Sequence, residues 1–173
     1  MDEILTLCRS RNISFAQAVL EDDLAQRGTT KEQSRQEMKR LWEAMLSAEK
    51  NYEPGLRSTS RMTGGAGGLM EEYVRTGKHL SGDFIGQVIT LALKMGESNA
   101  CMKRIVAAPT AGACGVLPAV LIPYYWSCHV SEDAVLDALY TAAGIGQIIA
   151  SRASIAGASG GCQAEIGSAS SMA

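Results

Sequence analysis

The chain has 173 residues, of which 46% are hydrophobic and 20% charged, a balance that excludes both a disordered acidic tail and a membrane protein. That length supports one domain with a buried core, at most with a small appendage. With 16 basic against 18 acidic residues the net charge is -2, so there is no basic surplus for a phosphate backbone and no nucleic acid partner is expected. Glycine numbers 18 while proline numbers 4 and aromatics make up 5%, which points to close backbone contacts where bulky side chains would otherwise pack. Residues 101–173 hold only 7 of the 34 charged residues. That second segment is expected to be mostly buried, under the rest of the fold, a partner, or residues outside this chain.

Met1-Asp2-Glu3 opens without the basic region and apolar stretch of a secretory signal, so a cytoplasmic location with reduced thiols is expected. Ser14-Phe15-Ala16-Gln17 has capping-box spacing, Val19, Leu20 and Leu24 follow, and Gly28 stands where a left-handed C-terminal cap belongs. Thr30 to Gln33 repeats the box. After it, Met38, Leu41, Trp42, Met45 and Leu46 form the stripe of an amphipathic helix ending near Pro54. A short helix is expected over Leu69 to Val74. Ser81 is expected to cap a helix carrying Phe84, Ile85, Val88, Ile89, Ala92 and Met95, and Ser131 another that runs through Ala150. The uncharged run between Arg104 and Glu132 is broken by Pro109, Gly112, Pro118 and Pro123, so it reads as core and not as a membrane span. No stretch shows the alternation of a strand, and no repeat or linker divides the chain. The expected fold class is all-α, its helices joined by glycine-rich loops.

Three glycine-rich stretches carry the chemistry. In Ser58 to Gly68, hydroxyls are followed by glycines that lead into a helix, and backbone N–H groups at such a start bind a phosphate or a carboxylate. A flexible loop is the plain alternative. No Gly-Lys-Ser/Thr follows and no strand precedes, so neither a Walker loop nor a dinucleotide fingerprint is present. In Ala107 to Ala119, Pro109 sets the approach, and small residues let the backbone come close to what it faces; a tight turn between helices is the alternative. In Ser154 to Ser168, Cys162 directly follows Gly160-Gly161 at an apparent helix start, where the helix dipole favours the thiolate that ligates metal. Glu165 lies at i+3, so both side chains can face one site. The bland reading of Cys162 is a small buried hydrophobe. The other cysteines are Cys8, Cys101, Cys114 and Cys128, and with no Cys-x-x-Cys pair the zinc-ribbon and thioredoxin-like readings lose their signature.

Taken together, Ser60-Arg61-Met62-Thr63-Gly64-Gly65, Glu97-Ser98-Asn99-Ala100, Arg104 to Gly112, and Gly161-Cys162-Gln163-Ala164-Glu165-Ile166-Gly167-Ser168-Ala169 make the chain similar to the α subunit of iron-sulfur-dependent L-serine dehydratases. The resemblance covers nearly the whole chain. It implies a lyase that deaminates L-serine to pyruvate and ammonia through a 4Fe-4S cluster held by three cysteines, with no pyridoxal phosphate. It also implies a β subunit as partner and an oligomeric assembly. Only Cys162 maps onto one of the family's cluster cysteines. The other two lie in a Cys-Asp-Pro run and a Pro-Cys-Ile run, neither of which occurs here. The chain is therefore expected to be an N-terminal portion of the α subunit, unable to assemble the cluster alone, with Cys8, Cys101, Cys114 and Cys128 in packing roles.

On the same resemblance, Glu97 and Asn99 are the candidate catalytic residues, although a solvated surface charge is the plain reading of Glu97 and of Lys94 one turn before it. Ser58, Ser60, Thr63, Gly64, Gly65, Pro109, Thr110 and Gly112 are the substrate-binding candidates, with loop capping as the alternative for the hydroxyls. His79 and His129 have no companion at ligand spacing and read as surface or satisfied histidines. Two other functions compete. A pyridoxal-phosphate dehydratase would use Thr63 to Gly68 as a phosphate cradle and Lys94 or Lys103 as Schiff-base lysine, but it needs strands that the sequence lacks. A catalytically inert helical fragment would dock its apolar half on the missing segment or on the β subunit.

Overall fold

The computed structural model describes residues 2–173 and contains eight α-helices with no strand among the described residues. The all-α expectation holds. Helix α1 (Asp2–Arg11) has no signal in the sequence reading; its last-turn Arg9 and Arg11 suit the helix dipole. Helix α2 (Phe15–Arg27) begins at Ser14, whose hydroxyl accepts from Gln17 N, and ends at Gly28 with φ 61°. Only half of that capping box forms, because the Gln17 side chain donates to Glu21. At α3 (Lys31–Lys50) the box is complete: Gln33 N donates to Thr30 Oγ1 and Thr30 N to Gln33 Oε1.

Helix α4 (Ala66–Arg75) starts three residues before the expected segment, and α5 (Asp83–Ala100) is capped by Gly82 at φ 74° instead of Ser81. Helix α6 (Val116–Ser127) forms inside the proline-interrupted run, with Pro123 inside it and Leu117, Pro118 and Ile122 buried. A missing proline N–H costs one helical bond, which burial of this uncharged segment offsets. Helix α7 (Glu132–Arg152) is capped by Ser131 as expected. Helix α8 (Gly157–Met172) is broken at Gly161, whose φ of 75° and ψ of 173° are not helical.

The main core gathers Trp42 and Met45 from α3, Leu91 and Met95 from α5, Ile122 from α6, and Val135 and Leu139 from α7. Trp42 is fully buried and meets Tyr125 edge-on, with ring centroids 5.5 Å apart. A second cluster joins Val19 and Leu20 to Tyr140, and a Cβ at Gly144 would lie 2.4 Å from Val19 Cγ2, so α2 and α7 touch closely there. Polar closure is provided by Ser34, whose hydroxyl donates to Asp23 at 2.6 Å and meets Tyr140 Oη at 2.6 Å. Burial holds the Tyr140 phenol above its ordinary range. Helix α7 is long and apolar enough to cross a membrane, yet it packs against α2, α3, α6 and α8.

Burial of the second half is only partly as expected. Helices α6 and α7 are interior, but residues 158–163 are exposed, because the small residues there have no element packed over them. Cys114 is buried, and desolvation pushes its thiol up, whereas Cys128 is exposed at the end of α6 and has no packing role. Trp42→Ala is expected to cost about 3–5 kcal/mol in urea unfolding. Trp42→Phe should cost clearly less, because the buried Nε1 has no hydrogen-bond partner to lose.

Candidate functional site

The loop before α4 is closed on itself. Ser58 N donates to Thr63 O at 2.9 Å, Thr63 N donates back to Ser58 Oγ at 3.2 Å, and Ser58 Oγ lies 3.2 Å from Ser60 Oγ. Ser58 is thereby buried, while Ser60 and Thr63 remain exposed with Arg61 at φ 59° between them. Gly64 and Gly65 follow at φ 134° and 83°, and a Cβ at Gly64 would stand 2.3 Å from Leu56 O.

Helix α4 then opens on Gly65, which has no side chain to satisfy the first N–H groups. They are satisfied from elsewhere. Ala66 N donates to Glu97 Oε1 at 2.6 Å, Gly67 N to Glu97 Oε2 at 3.2 Å, and Gly68 N to Tyr52 Oη at 3.1 Å. Tyr52 in turn donates to Glu97 Oε2 at 2.5 Å. The anion at this glycine-rich helix start is thus the protein's own carboxylate, brought in by α5. Glu97 is 5% exposed and Lys94 6%, so neither is a solvated surface charge. Lys94 Nζ donates to Glu71 at 3.0 Å and Glu49 at 3.3 Å, and it lies 5.4 Å from the Tyr52 ring centroid. One turn of α5 therefore ties α3 and α4 together through Lys94 and Glu97.

The same end of α5 holds the second stretch, where Asn99 Nδ2 donates to Ala111 O at 3.0 Å. Pro109, after a cis peptide bond, and Thr110 are half-buried, and Ala111–Ala113 form a single 3-10 turn. Thr110 Oγ1 donates to Glu165 Oε1, which joins the second stretch to the third. A Cβ on Gly112 would lie 2.6 Å from Glu165 Oε2, so glycine is required for that carboxylate to rest where it does. Cys162 is exposed and follows the Gly161 break directly, so it begins the continuous part of α8 as its sequence context suggested.

The structure thus places Glu97 and Asn99 at one end of α5, Glu97 bonded with Tyr52 to the start of α4 after the loop of Ser58, Gly64 and Gly65, and Asn99 bonded to Ala111. Thr110 and Gly112, on either side of Ala111, meet Glu165. Tyr52 has no motif to announce it, since its partner Glu97 is 45 residues away; Glu165 was visible only by its spacing from Cys162. His79 is only partly as expected: its Nδ1 lies 3.3 Å from Ser81 Oγ, but its side chain is 4% exposed and Nε2, 3.5 Å from Asp83 Oδ1, has no hydrogen-bond partner. His129 is exposed.

Three cysteines do not meet here. Among the described residues no three His, Cys, Asp or Glu side chains converge to hold a metal, so a cluster with three thiolate ligands does not fit the residues of this chain by themselves. The residues do not suit a phosphate cradle with a nearby Schiff-base lysine either. The α4 start is filled by Glu97, Lys94 is ion-paired twice, and Lys103 is paired to Glu53 at 2.7 Å.

The family model described as serine dehydratase alpha chain matches residues 10–173. The chain is 38% identical over 172 residues to the L-serine dehydratase, alpha chain, of Peptoniphilus asaccharolyticus, covering 99% of this chain and 59% of that protein. It is 34% identical over 171 residues to a protein of Bacillus subtilis (strain 168) named "Probable L-serine dehydratase, alpha chain", covering 99% of this chain and 57% of that one. L-serine dehydratase 1 of Escherichia coli (strain K12) is 34% identical over 178 residues, with 99% and 38% covered. The chain therefore spans between about two fifths and three fifths of the length of these relatives. No solved structure matches it.

Burial and the bond to Glu97 push the Tyr52 phenol up to about 12. Its folded form is raised above the usual value near about 10, so its contribution to stability is complete below pH ~10 and is lost as pH rises towards ~12. Ultraviolet titration should show Tyr52 ionising late, as the buried Tyr140 also does, and Tyr52→Phe should remove one tyrosine from that late step.

Proposed function

Because the chain belongs to the serine dehydratase alpha chain family, we propose that it forms part of an enzyme that eliminates water from L-serine. The α-proton and the β-hydroxyl leave as water, and the aminoacrylate that remains hydrolyses to pyruvate and ammonia. The observation that carries this reading is the convergence of the family-like stretches on one end of α5, through Glu97 to α4, Asn99 to Ala111, and Thr110 to Glu165.

In this reading the exposed hydroxyls of Ser60 and Thr63 receive the substrate carboxylate, and Pro109, Thr110 and Gly112 form the opposite wall. Glu97 and Asn99 act as positioning residues. Both Glu97 oxygens already accept hydrogen bonds, so this group holds the α4 loop in place instead of taking a proton, and Asn99 sets the 3-10 turn. Cys162 serves as one thiolate ligand of an iron-sulfur cofactor in the complete protein. The remaining ligands come from residues outside this chain, as does the contribution of a β subunit. A cytoplasmic location belongs to the same proposal.

The test is anaerobic reconstitution with iron and sulfide, with and without the C-terminal segment that the longer relatives carry. We expect no stoichiometric iron on the chain alone, and serine-dependent pyruvate release once the segment is co-expressed. Four irons bound and serine deaminated by the chain alone would overturn the divided site. An assembled protein that takes up iron but never releases pyruvate would favour the inert docking fragment. In the active assembly, Cys162→Ser should abolish turnover, and retained activity would refute its role as ligand.

A further inference from the structure

We propose that the outward face of α5 is an interior helix contact, and that its occupant is an apolar helix from the further residues that the longer serine dehydratase relatives carry in the same polypeptide. The inference rests on the serine dehydratase reading and names the surface on which the divided site assembles. Helix α5 turns its charges the opposite way from a helix that faces water. It carries Asp83 in its first turn, Lys94 and Glu97, and the last two are buried against α3 and α4. Outward lie Ile85, Ile89, Ala92, Leu93, Gly96 and Ala100, spaced as one face of a helix. All six are exposed, Ile85 at 48%, Ile89 at 39% and Leu93 at 36%, and none has a charged or hydrogen-bonding side chain. A continuous apolar helix face of this kind marks a contact surface.

Gly96 indicates that what covers the face comes close. A Cβ there would meet nothing within 4 Å, so no neighbour in this chain requires the glycine, although a glycine inside a helix weakens it relative to alanine. With Ala92 and Ala100 one turn to either side, it leaves a shallow trough in which a second helix axis can approach to about 8 Å. A second copy of this chain suits the face less well. An 18-residue helix is about 27 Å long, so a strip one helix wide buries about 600 Å² in total, about half of the ~1,200 Å² at which stable interfaces begin. A segment of the same polypeptide does not lose the translational freedom that joining two molecules costs, so the same strip is enough for it. The relatives carry such residues, since the matched part takes up 59% and 57% of the two alpha chains. A charged partner surface is excluded, because each charge pressed on this strip would be buried unpaired; the apolar face of a helix fits.

Hydroxyl-radical footprinting of the unchanged chain, alone and co-expressed with that segment, tests this with a readout separate from turnover. Ile85, Ile89 and Leu93 should be oxidised in the chain alone and about tenfold less in the complex, as read by peptide mass spectrometry. Gly96→Glu should leave the chain alone at least as resistant to urea, since a side chain there meets nothing, and should weaken co-purification of the segment by about tenfold or more. The unchanged chain carries the test where the variant misfolds. The proposal is overturned if the α5 side chains react as fast in the complex as in the chain alone, if no complex forms, or if Gly96→Glu retains the segment as well as the parent. It is also overturned if the chain alone dimerises and protects these side chains, or if only a β subunit protects them. Protection of α5 in an assembly that releases no pyruvate would leave the docking face standing and remove the dehydratase reading. Pyruvate release with α5 still reactive would do the reverse.

Discussion

An α-helix that begins Gly65-Ala66-Gly67-Gly68 has no side chain of its own to offer its first N–H groups, and three of them point into the protein. Each donor left unpaired in such a place costs about 1–3 kcal/mol, and more where the lost partner is charged. Glu97 meets that requirement from the far side of the interface, with Tyr52 extending its reach to the third N–H. The glycines make the approach possible: a Cβ at Gly67 would stand within 3.0 Å of Lys94 and Tyr52. Position and composition of the loop therefore follow from one buried carboxylate. Without it the Ser58 to Gly65 loop would lose the anchor that holds it over α5.

A related arrangement recurs on the other side of α5. There Asn99 holds Ala111, and Thr110 and Gly112 receive Glu165. The two carboxylates differ in how far they are satisfied. Glu97 is closed in by three donors and has a structural task; Glu165 has a single donor. The core behind them, built on Trp42, Met95 and Ile122, fixes the distances between α3, α5 and α6 on which both contacts depend.

Local signals were enough for much of this fold. The complete capping box at Thr30, the left-handed Gly28 and the Ser131 cap are all contacts within a few residues, so sequence spacing states them directly. Ser81 misled because Gly82, one residue on, adopts a conformation open to glycine and takes the cap. Helix α6 was hidden by its prolines, since local propensity does not include the gain from burying an uncharged segment. At the site, the glycine stretch announced an anion at a helix start, and the motifs announced Glu97, but nothing in the sequence joined the two observations. That pairing spans 31 residues, and the link to Tyr52 spans 45. Charge alone makes Lys94 and Glu97 look like surface residues; their burial depends on partners contributed by α3, α4 and the turn that carries Tyr52.

Hydrogen exchange at Ala66 and Gly67 tests the central claim most directly, because those two N–H groups are the ones that Glu97 is said to hold. With Glu97→Ala the two amides should exchange about tenfold or more faster than in the parent chain, while amides in the middle of α3 and α7 keep their protection. Unchanged protection at Ala66 and Gly67 would contradict the account, since the start of α4 would then be held by something other than this carboxylate.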